Sequence, residues 1–370
     1  MSGARPLVAV CTVTHEDAAQ IERWAAALAA LDVSALCDSA LCDFSTRDSA
    51  TRDSMHGDGG LAVEVVVVDC ASGDATLERL SRVRLPWPLR VVELRENAGF
   101  AGGMNAAIDA CSPGVRFVLS LNPDARPEPY ALGALVACHR RWSAAGLRVG
   151  SVTGRLLREE VAGERRRLDA CGMRLSPAWR HFDRGSSEID RGQYPRAEEV
   201  FGGTGAATLY DVEALRDVAI DGEIFDRDFH TYREDAELAF RLRERGWRSI
   251  YEPAARIEHR RLNLPARRRQ MSADANLHSL RNRYLLRLYH QTPLNLLTTL
   301  VTAQLREALI FAAVLVRERR SIPAWRWLWR NRRRLRARAK VVRARRTVSA
   351  FEIERWFWRD ARPLLDEPGR

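Results

Sequence analysis

The stretch Phe117-Val118-Leu119-Ser120-Leu121-Asn122-Pro123-Asp124 decides the fold that this sequence predicts. Its first five residues are an apolar run of strand length, and Pro123, Pro127 and Pro129 exclude a helix directly after it. The chain must therefore turn, which presents the carboxylate of Asp124 just beyond the C-terminal end of a buried strand. Ligands of open α/β sheets bind at that edge, and a divalent cation that carries a diphosphate needs an oxygen ligand there. The alternative is a turn aspartate that caps its own backbone.

The segments around this strand alternate between strand and helix patterns. Residues 64–68 are almost entirely apolar, as expected of a parallel strand that is buried on both faces. The order β-α-β-α-β predicts an α/β fold with a doubly wound, mostly parallel sheet and flanking helices. Strands are predicted at 7–13, 64–68, 89–94, 117–121 and 249–252, and helices at 18–31, 74–83, 102–110, 234–246 and from 293 onward.

Composition divides the rest of the chain into segments that differ in their residue content. Residues 32–60 are rich in Ser, Asp and Gly and contain near-repeats, which predicts a flexible surface insertion. We expect a catalytic domain of the α/β class over residues 1–265, with this insertion inside it. Residues 266–370 are predicted to form a helical, Arg-rich C-terminal region.

The net charge of +11 is concentrated in one segment. Residues 317–346 contain 14 Arg and Lys residues and one Glu, so the other 340 residues together carry a charge of −2. A near-neutral globular part argues against a nucleic-acid-binding protein, which needs basicity over its folded domain. The seven cysteines show no CxxC spacing, so neither a zinc site nor a disulfide framework is indicated. No secretory signal is visible, and a reducing cytoplasm is expected.

Polar and small side chains follow the ends of the predicted strands. Thr12 and Thr14 end the first strand, and Asp69 ends the second, where it could bind a base or a ribose hydroxyl or cap the next helix. Residues 95–105 contain three glycines and lead into a helix, an arrangement that favours phosphate. No GxGxxG follows the first strand and no GxxxxGK[ST] occurs, so a dinucleotide site or a P-loop is not indicated.

Six short motifs occur in a fixed order over about residues 7–290. They are VDCASGD at 68–74, NAGFAGGMN at 97–105, LNPD at 121–124, FGGTG at 201–205, a block from Phe225-Asp226 through Glu234-Asp235 to Gly246, and His259. In these motifs the chain resembles the family 2 inverting glycosyltransferases of the GT-A fold, and most strongly their rhamnosyltransferase-like and galactofuranosyltransferase-like branch. Two departures from the family pattern are Cys70 in place of Asn and His15-Glu16 in place of Tyr-Asn.

The resemblance implies a role for each motif. Asp235 is the implied catalytic base, and Glu234 is implied to orient it or to contact the acceptor. Without the resemblance, both carboxylates would merely suit the start of a helix. Asp124 and His259 are the implied ligands of a divalent metal, Mn²⁺ or Mg²⁺, and a mixed oxygen and nitrogen set slightly favours Mn²⁺. The implied donor-binding residues are Thr12, Thr14, Asp69, Arg95, Asn97, Gly99, Asn105 and Asn122, and the implied acceptor-binding residues are Gly203, Thr204, Gly205, Asp226 and Tyr232.

The C-terminal region indicates a further partner. Residues 293–316 are strongly apolar, but Gln304, Arg306 and Glu307 interrupt them, so no clean membrane span of about 20 residues is present. Trp and Arg alternate over residues 325–330, which is typical of a helix at an anionic membrane surface. A homo-oligomer contact, a solvated helix and nucleic acid are the alternatives. The membrane surface is favoured, and no nucleic acid is expected.

These observations predict a metal-dependent inverting glycosyltransferase at the cytoplasmic face of a cell membrane. It would move a sugar, with rhamnose favoured, from a nucleotide-sugar donor to a polysaccharide or a lipid-linked glycan. A catalytically inactive nucleotide-sugar-binding scaffold is the second hypothesis, and a basic nucleic-acid-binding protein is the third. Retention of Asp124, Glu234, Asp235 and His259 argues against the scaffold.

Overall fold

The computed structural model describes residues 7–36, 63–261 and 273–364 of the chain. The predicted insertion at 32–60 therefore lies almost wholly outside the described residues. Of its first residues, Ser34–Leu36 form a single 3₁₀ turn. The predicted boundary between residues 265 and 266 also lies outside the described residues.

Strands and helices alternate in the first half of the chain, and helices predominate at its C-terminal end. The strands are β1 Val8–Thr14, β2 Val63–Asp69, β3 Leu89–Glu93, β4 Phe117–Leu121, β5 Ala125–Pro127, β6 Val149–Arg158, β7 Leu168–Ala170, β8 Met173–Ser176, β9 Arg180–Asp183, β10 Glu198–Val200, β11 Ala207–Asp211, β12 Arg248–His259 and β13 Ala361–Pro363. The helices are α1 Ala18–Ala29, α2 Thr76–Arg82, α3 Gly99–Asp109, α4 Ala131–Ala144, α5 Val212–Val218, α6 Glu234–Glu244, α7 Ala273–His290, α8 Pro293–Thr298, α9 Leu300–Val316, α10 Pro323–Ala344 and α11 Ala350–Glu354.

One mixed sheet forms the centre of the protein, with its main strands in the order β13-β10-β12-β6-β11-β4-β1-β2-β3. β1 pairs in parallel with both β2 and β4, and β2 pairs in parallel with β3, which confirms the predicted doubly wound arrangement. β11 enters between β4 and β6 and runs antiparallel to both. The end of β12 pairs antiparallel with β5, which follows the turn after β4.

The parallel strands consist largely of β-branched residues that are buried on both faces. All seven residues of β2, VEVVVVD, are buried. Alternate residues of β1 pack into two separate hydrophobic cores. Val8 and Val10 pack with residues of α1 and α4, whereas Ala9 and Cys11 pack with residues of α3, α5 and α6. Each fully buried valine contributes roughly 1.5–3 kcal/mol relative to an exposed one, which fixes the register.

This register brings the C-terminal ends of three parallel strands to one edge of the sheet. Thr14 at the end of β1 lies opposite Asp69 at the end of β2. β4, the other parallel neighbour of β1, runs into Asn122-Pro123-Asp124. The polar residues that the sequence places after separate strands are therefore neighbours in space.

The C-terminal helices pack onto the same body as the sheet. β13 pairs antiparallel with β10, and Trp356 and Phe357 share a hydrophobic core with Phe201. α10 is the Arg-rich helix, and its Arg338 donates to Asp226 at 2.7 Å. Within the described ranges, we find no helix whose length and apolar content would let it cross a bilayer.

Candidate active site

The turn after β4 lies beside the last residue of β12. His259 is paired with Ala125 in the β12–β5 ladder, and its Nε2 atom is 3.2 Å from Oδ1 of Asp124. On the other side of the ring, Nδ1 is 2.7 Å from Oδ2 of Asp169, the middle residue of β7. The imidazole is therefore held between a carboxylate at the sheet edge and a fully buried one.

The charges in this triad stabilise one another. Burial disfavours a charged imidazole, but the hydrogen bonds and charges of Asp124 and Asp169 outweigh burial and raise the pKa of His259 to about 9. Burial also opposes ionisation of the two carboxyl groups, yet the His259 ring holds the pKa of each below its ordinary value. Without a metal, the triad at neutral pH is an imidazolium between two carboxylates.

The same residues fit a divalent metal. An Asp124 oxygen and a His259 nitrogen form a donor set that Mn²⁺ accepts, and Asp169 binds the far ring nitrogen as carboxylates do behind metal-bound histidines. Within the residues that the structure describes, no group of three or more His, Cys, Asp and Glu side chains is arranged to hold a metal alone. A metal at Asp124 and His259 would need further ligands from a bound substrate or from water.

A second acidic pair begins helix α6. Arg233 precedes the helix in the left-handed conformation, with φ of 73°, and turns the chain sharply into it. Oδ2 of Asp235 accepts the amide of Gly205 at 3.0 Å, and Oδ1 accepts the amide of Ala236 at 2.7 Å. Burial raises the pKa of Asp235 above its ordinary value, although these two amide bonds oppose the rise. The carboxylate is thus fixed in orientation and more basic than an exposed aspartate.

Glu234, the other member of the pair, is only 6% exposed. Burial, and then the charge of Asp235, raise the pKa of Glu234 well above its ordinary value. Its Oε2 atom has no hydrogen-bond partner within the described part of the chain. Both carboxyl groups therefore favour the neutral form more than exposed ones do, and their titrations are coupled. A carboxyl group with one unbonded oxygen thus lies beside the candidate base.

The loop at 203–206 connects the two acidic sites. The hydroxyl of Ser120 on β4 donates to the carbonyl of Gly205 at 3.1 Å, and the amide of Asn122 donates to the next carbonyl of the loop at 2.9 Å. Gly205 thus contacts β4 through its carbonyl and Asp235 through its amide. The turn with the candidate metal ligand and the candidate base lie on either side of one short loop.

Gly203 and Thr204 shape this loop by packing. A Cβ atom at Gly203 would lie 2.7 Å from Cγ2 of Thr208, so only glycine fits there. The carbonyl of Thr204 accepts the Thr208 hydroxyl at 2.8 Å, and the Thr204 side chain is largely buried. Gly205 is the residue of this predicted acceptor loop that contacts Asp235.

The ends of β1 and β2 are joined through Asp69. Its Oδ1 accepts the hydroxyls of Thr14 at 2.9 Å and of Ser72 at 2.6 Å, and its Oδ2 accepts the amide of Ser72 at 2.9 Å. Asp69 is fully buried and holds the loop after β2 in place. The Thr12 hydroxyl is buried without a hydrogen-bond partner among the described residues.

The start of α3 presents exposed polar groups next to a glycine with positive φ. Arg95 and Asn97 are exposed, and the Asn97 side chain accepts the amide of Gly99 at 2.9 Å. Gly99 has φ of 66°, and a Cβ atom there would lie 2.6 Å from Cγ of His230. The glycine therefore lets the α3 start approach the loop before α6.

Asn105 and Asp226, which are predicted to bind the donor and the acceptor, are buried and bond to distant parts of the chain. Asn105 donates to the carbonyl of Phe225 at 2.7 Å and accepts its amide at 2.8 Å. Asp226 is 2% exposed and faces Arg338, and burial raises its pKa to about 6. Tyr232 adopts φ of 69° and is partly buried near Glu234, and burial raises the pKa of its hydroxyl.

Three further residues complete the site and were not predicted from the sequence, namely Asp169, Asp183 and Arg261. Arg261 pairs with Asp169 at 3.0 Å and with Asp183 at 2.6 Å, which links the β7 and β9 strands behind His259. The only local signal for Asp169 was its position after an apolar residue at a strand, and a three-residue strand is too short to stand out.

Comparison with known protein families adds to this geometry. A model described as glycosyl transferase family 2 matches residues 49–218, and one described as glycosyl transferase family group 2 matches residues 188–329. The chain belongs to the family 2 glycosyltransferases. This confirms the family and the enzyme class that the motifs predict.

Relatives of this glycosyltransferase were found among sequences and structures. The N-acetylglucosaminyl-diphospho-decaprenol L-rhamnosyltransferase of Mycobacterium tuberculosis is 27% identical over 222 residues, which cover 55% of this chain and 69% of that protein. The structure of GalNAc-T7 with UDP, GalNAc and Mn²⁺ has a TM-score of 0.50 at 11% identity, covering 77% of this chain and 49% of that chain. The mannosyltransferase PcManGT from Pyrobaculum calidifontis, in complex with GDP-Man and Mn²⁺, has a TM-score of 0.49 at 18% identity. The match covers 92% of this chain and 85% of that chain. The sheet order and the likeness to GalNAc-T7 confirm the predicted GT-A fold.

Proposed function

We propose that this glycosyltransferase moves a sugar, with inversion, from a nucleoside-diphosphate donor to a hydroxyl group of a lipid-linked glycan. The observation that carries the proposal is the 3.0 Å bond between Asp235 and the amide of Gly205. Gly205 is on the loop that also bonds to the β4 turn just before Asp124. A candidate base and the turn with a candidate metal ligand are thus held on either side of one loop, as a one-step displacement requires.

Asp235 acts as the general base in this proposal. An inverting transfer needs a group that takes the proton from the acceptor hydroxyl while its oxygen bonds to the anomeric carbon. The two amide bonds to Asp235 fix its orientation, and burial makes it a stronger base. Glu234 lies beside it with its Oε2 atom unbonded within the described residues, and this oxygen contacts the acceptor sugar.

Asp124 and His259 hold the divalent metal, with Mn²⁺ preferred. A bound metal supplies positive charge to the departing nucleoside diphosphate. Asp169 orients His259 through its 2.7 Å contact with Nδ1. Arg95, which is exposed just before α3, binds phosphate oxygens. At the ends of β1 and β2, the buried residues Thr12, Thr14 and Asp69 shape the nucleoside pocket, and Asn122 lines its phosphate side.

Rhamnose is the proposed sugar, and a lipid-linked diphosphate glycan is the proposed acceptor. Both follow from the 27% identity with a protein named as a rhamnosyltransferase that acts on N-acetylglucosaminyl-diphospho-decaprenol. The donor would then be dTDP-rhamnose. Loop contacts with base and sugar determine donor choice, so UDP- and GDP-sugars belong in the same assay.

The outward face of α9 supports binding to a membrane surface. Ala303 and Val314 of α9 are buried against the protein, whereas Leu305, Leu309 and Val316 are 64%, 72% and 74% exposed. A helix at the surface of a protein in water normally exposes a polar face to the solvent. An exposed apolar face next to the Arg-rich α10 suits an anionic lipid surface. We therefore propose that the protein binds a membrane peripherally, and we place it at the cytoplasmic face in this proposal.

A transfer assay tests this function. The purified protein is incubated with Mn²⁺, a panel of dTDP-, UDP- and GDP-sugars, and an N-acetylglucosaminyl diphosphate ester of a short polyprenol. We expect one donor to yield a glycosylated lipid whose anomeric configuration, measured by NMR, is opposite to that of the donor. Retention of configuration, or no product from a folded protein with any donor, would contradict the proposal.

A further inference from the structure

Basic side chains from three separate segments meet beside the start of α6. Arg233, which directly precedes the acidic pair, contacts Nδ1 of His181 on β9 at 3.0 Å. Arg306 of α9 donates to the carbonyl of Ala178, in the turn between β8 and β9, at 2.7 Å. Arg180, also on β9, lies with its guanidinium 4.3 Å from the ring of Phe182. We call Arg180, His181, Arg233 and Arg306 the basic cluster.

The members of the basic cluster repel one another. Burial and then the charges of Arg233, Arg306 and Arg180 lower the pKa of His181 well below its ordinary value, so the ring is neutral. Burial and the charges of Arg283, Arg233 and Arg180 lower the pKa of Arg306 to about 9. Positive charge is therefore concentrated in a partly buried place, where an anion would relieve the repulsion.

Nearby carboxylates are bonded to other arginines. Asp183 pairs with Arg261 at 2.6 Å, and Glu307, the neighbour of Arg306 on α9, pairs with Arg283 at 2.6 Å and with Arg287 at 2.9 Å. Within the described ranges, no carboxylate oxygen lies within the 4.0 Å of an ion pair from Arg306. Arg306, the member of the basic cluster on α9, is therefore an arginine without a carboxylate partner among the described residues.

The position of the basic cluster links the candidate base to the exposed apolar face. Arg233 is adjacent in sequence to Glu234 and two residues from Asp235. Arg306 lies on the packed side of α9, whereas Leu305 and Leu309 on the same helix are exposed. A lipid whose chain lies along α9 would bring its headgroup to Arg306 and its glycan toward Asp235. In a lipid-linked diphosphate acceptor, two linked phosphates lie between the lipid and the sugar. This order matches the order of apolar, basic and catalytic groups in the protein.

We propose that the basic cluster is a binding site for the diphosphate of a lipid-linked acceptor, separate from the site for the donor diphosphate at Asp124 and His259. This inference rests on the proposed function, because it names how that function recognises its acceptor. Arginine is suited to this task, since its planar fork binds two phosphate oxygens at once.

The kinetic test compares two acceptors with Arg306→Gln, whose amide retains a donor for the Ala178 carbonyl. One acceptor is an N-acetylglucosaminyl diphosphate ester of a short polyprenol, and the other is an alkyl N-acetylglucosaminide without phosphate. For the diphosphate acceptor we expect the KM to rise about tenfold or more, since a charge-assisted bond contributes at this level. The KM of the donor and the activity with the neutral acceptor should not change. Arg216→Gln, at an exposed arginine of α5, is the control and should behave as wild type.

An equal effect of Arg306→Gln on both acceptors, or no effect on either, would overturn the inference. A second measurement does not need turnover: calorimetric titration with inorganic pyrophosphate in the absence of divalent metal. Binding should persist in Asp124→Ala and be lost in Arg306→Gln. No binding by wild type, or equal binding by Arg306→Gln, would overturn the inference. If nucleotides fail to bind while pyrophosphate still binds at Arg306, the proposed function fails and the anion site remains.

Discussion

Oδ2 of Asp169 lies 2.7 Å from Nδ1 of His259, and this contact fixes the ring nitrogen that faces Asp124. Asp169→Ala would leave the ring free to turn, so we expect Mn²⁺ affinity to fall about 10–100-fold, as for other carboxylates behind metal-bound histidines. Titration with Mn²⁺ in the presence of nucleotide measures the change, and excess Mn²⁺ should restore part of the activity. Asp360→Ala, which removes a surface carboxylate, is the control. Unchanged Mn²⁺ affinity in Asp169→Ala would show that the contact has no part in metal binding.

Asp235→Asn removes the proposed base while keeping its shape. The amide oxygen can still accept from Gly205, so the loop should remain in place. We expect kcat to fall about 10²–10⁴-fold, the usual contribution of a general base, with nucleotide affinity unchanged. Asp221→Asn changes a surface aspartate and serves as control, since that side chain is 76% exposed. A variant Asp235→Asn that retains most of the wild-type kcat would rule out this base.

The pH profile should report the raised pKa of Asp235. The base acts only when it is deprotonated, and burial raises its pKa above the ordinary value of 3.8. We therefore expect kcat/KM to fall as pH decreases, with a midpoint above 3.8. Protonation of His259 competes with Mn²⁺ binding, so its effect on the profile would shift with Mn²⁺ concentration. Repeating the profile at several Mn²⁺ concentrations therefore separates the effect of His259 from that of Asp235. An Mn²⁺-independent profile that is flat down to pH 4 would disagree with a buried base.

Two glycine substitutions separate backbone strain from crowding. Gly99 and Gly146 both have positive φ, 66° and 86°, so alanine at either costs about 1–2 kcal/mol. At Gly146 a Cβ atom would meet nothing within 4 Å, whereas at Gly99 it would overlap His230. Urea denaturation should show a larger loss of unfolding free energy for Gly99→Ala, and only this variant should lose nucleotide affinity. Equal losses would mean that the α3 start and the loop before α6 are not in close contact.

Aspartate substitutions on the outward face of α9 should weaken binding of the protein to membranes. Leu305 and Leu309 are exposed, and each buried leucine contributes roughly 1.5–3 kcal/mol. The double variant Leu305→Asp with Leu309→Asp is therefore expected to bind vesicles containing phosphatidylglycerol at least about 100-fold more weakly in sedimentation assays. Val161→Asp changes an apolar residue that is 54% exposed elsewhere and should bind normally. Undiminished binding by the double variant would exclude α9 as the lipid contact.

The parallel half of the fold could be predicted because each strand has its own local signal. Residues 64–68 are apolar throughout, and residues 117–121 end at a proline turn. The antiparallel entry of β11 between β4 and β6 has no such signal. It depends on which distant segment pairs with 117–121, and that choice is made by packing of the whole sheet.

The candidate site also contains residues that could be predicted from the sequence and residues that could not. Asp124, Asp235 and His259 belong to local motifs, so the sequence could nominate them, and their roles stay predictions. Asp169 is recognisable only from His259, which is 90 residues away in the chain. The bond between Asp226 and Arg338 joins residues that are 112 positions apart, so the packing of α10 against this loop could not be read from the sequence.

The central claim is tested most directly by calorimetric titration of the protein with UDP, dTDP and GDP, with and without Mn²⁺, alongside Asp124→Ala. The account predicts that one nucleotide binds, that binding requires the metal, and that Asp124→Ala abolishes it. No binding by any nucleotide to a folded, metal-supplied protein would contradict the account, as would equal binding by Asp124→Ala.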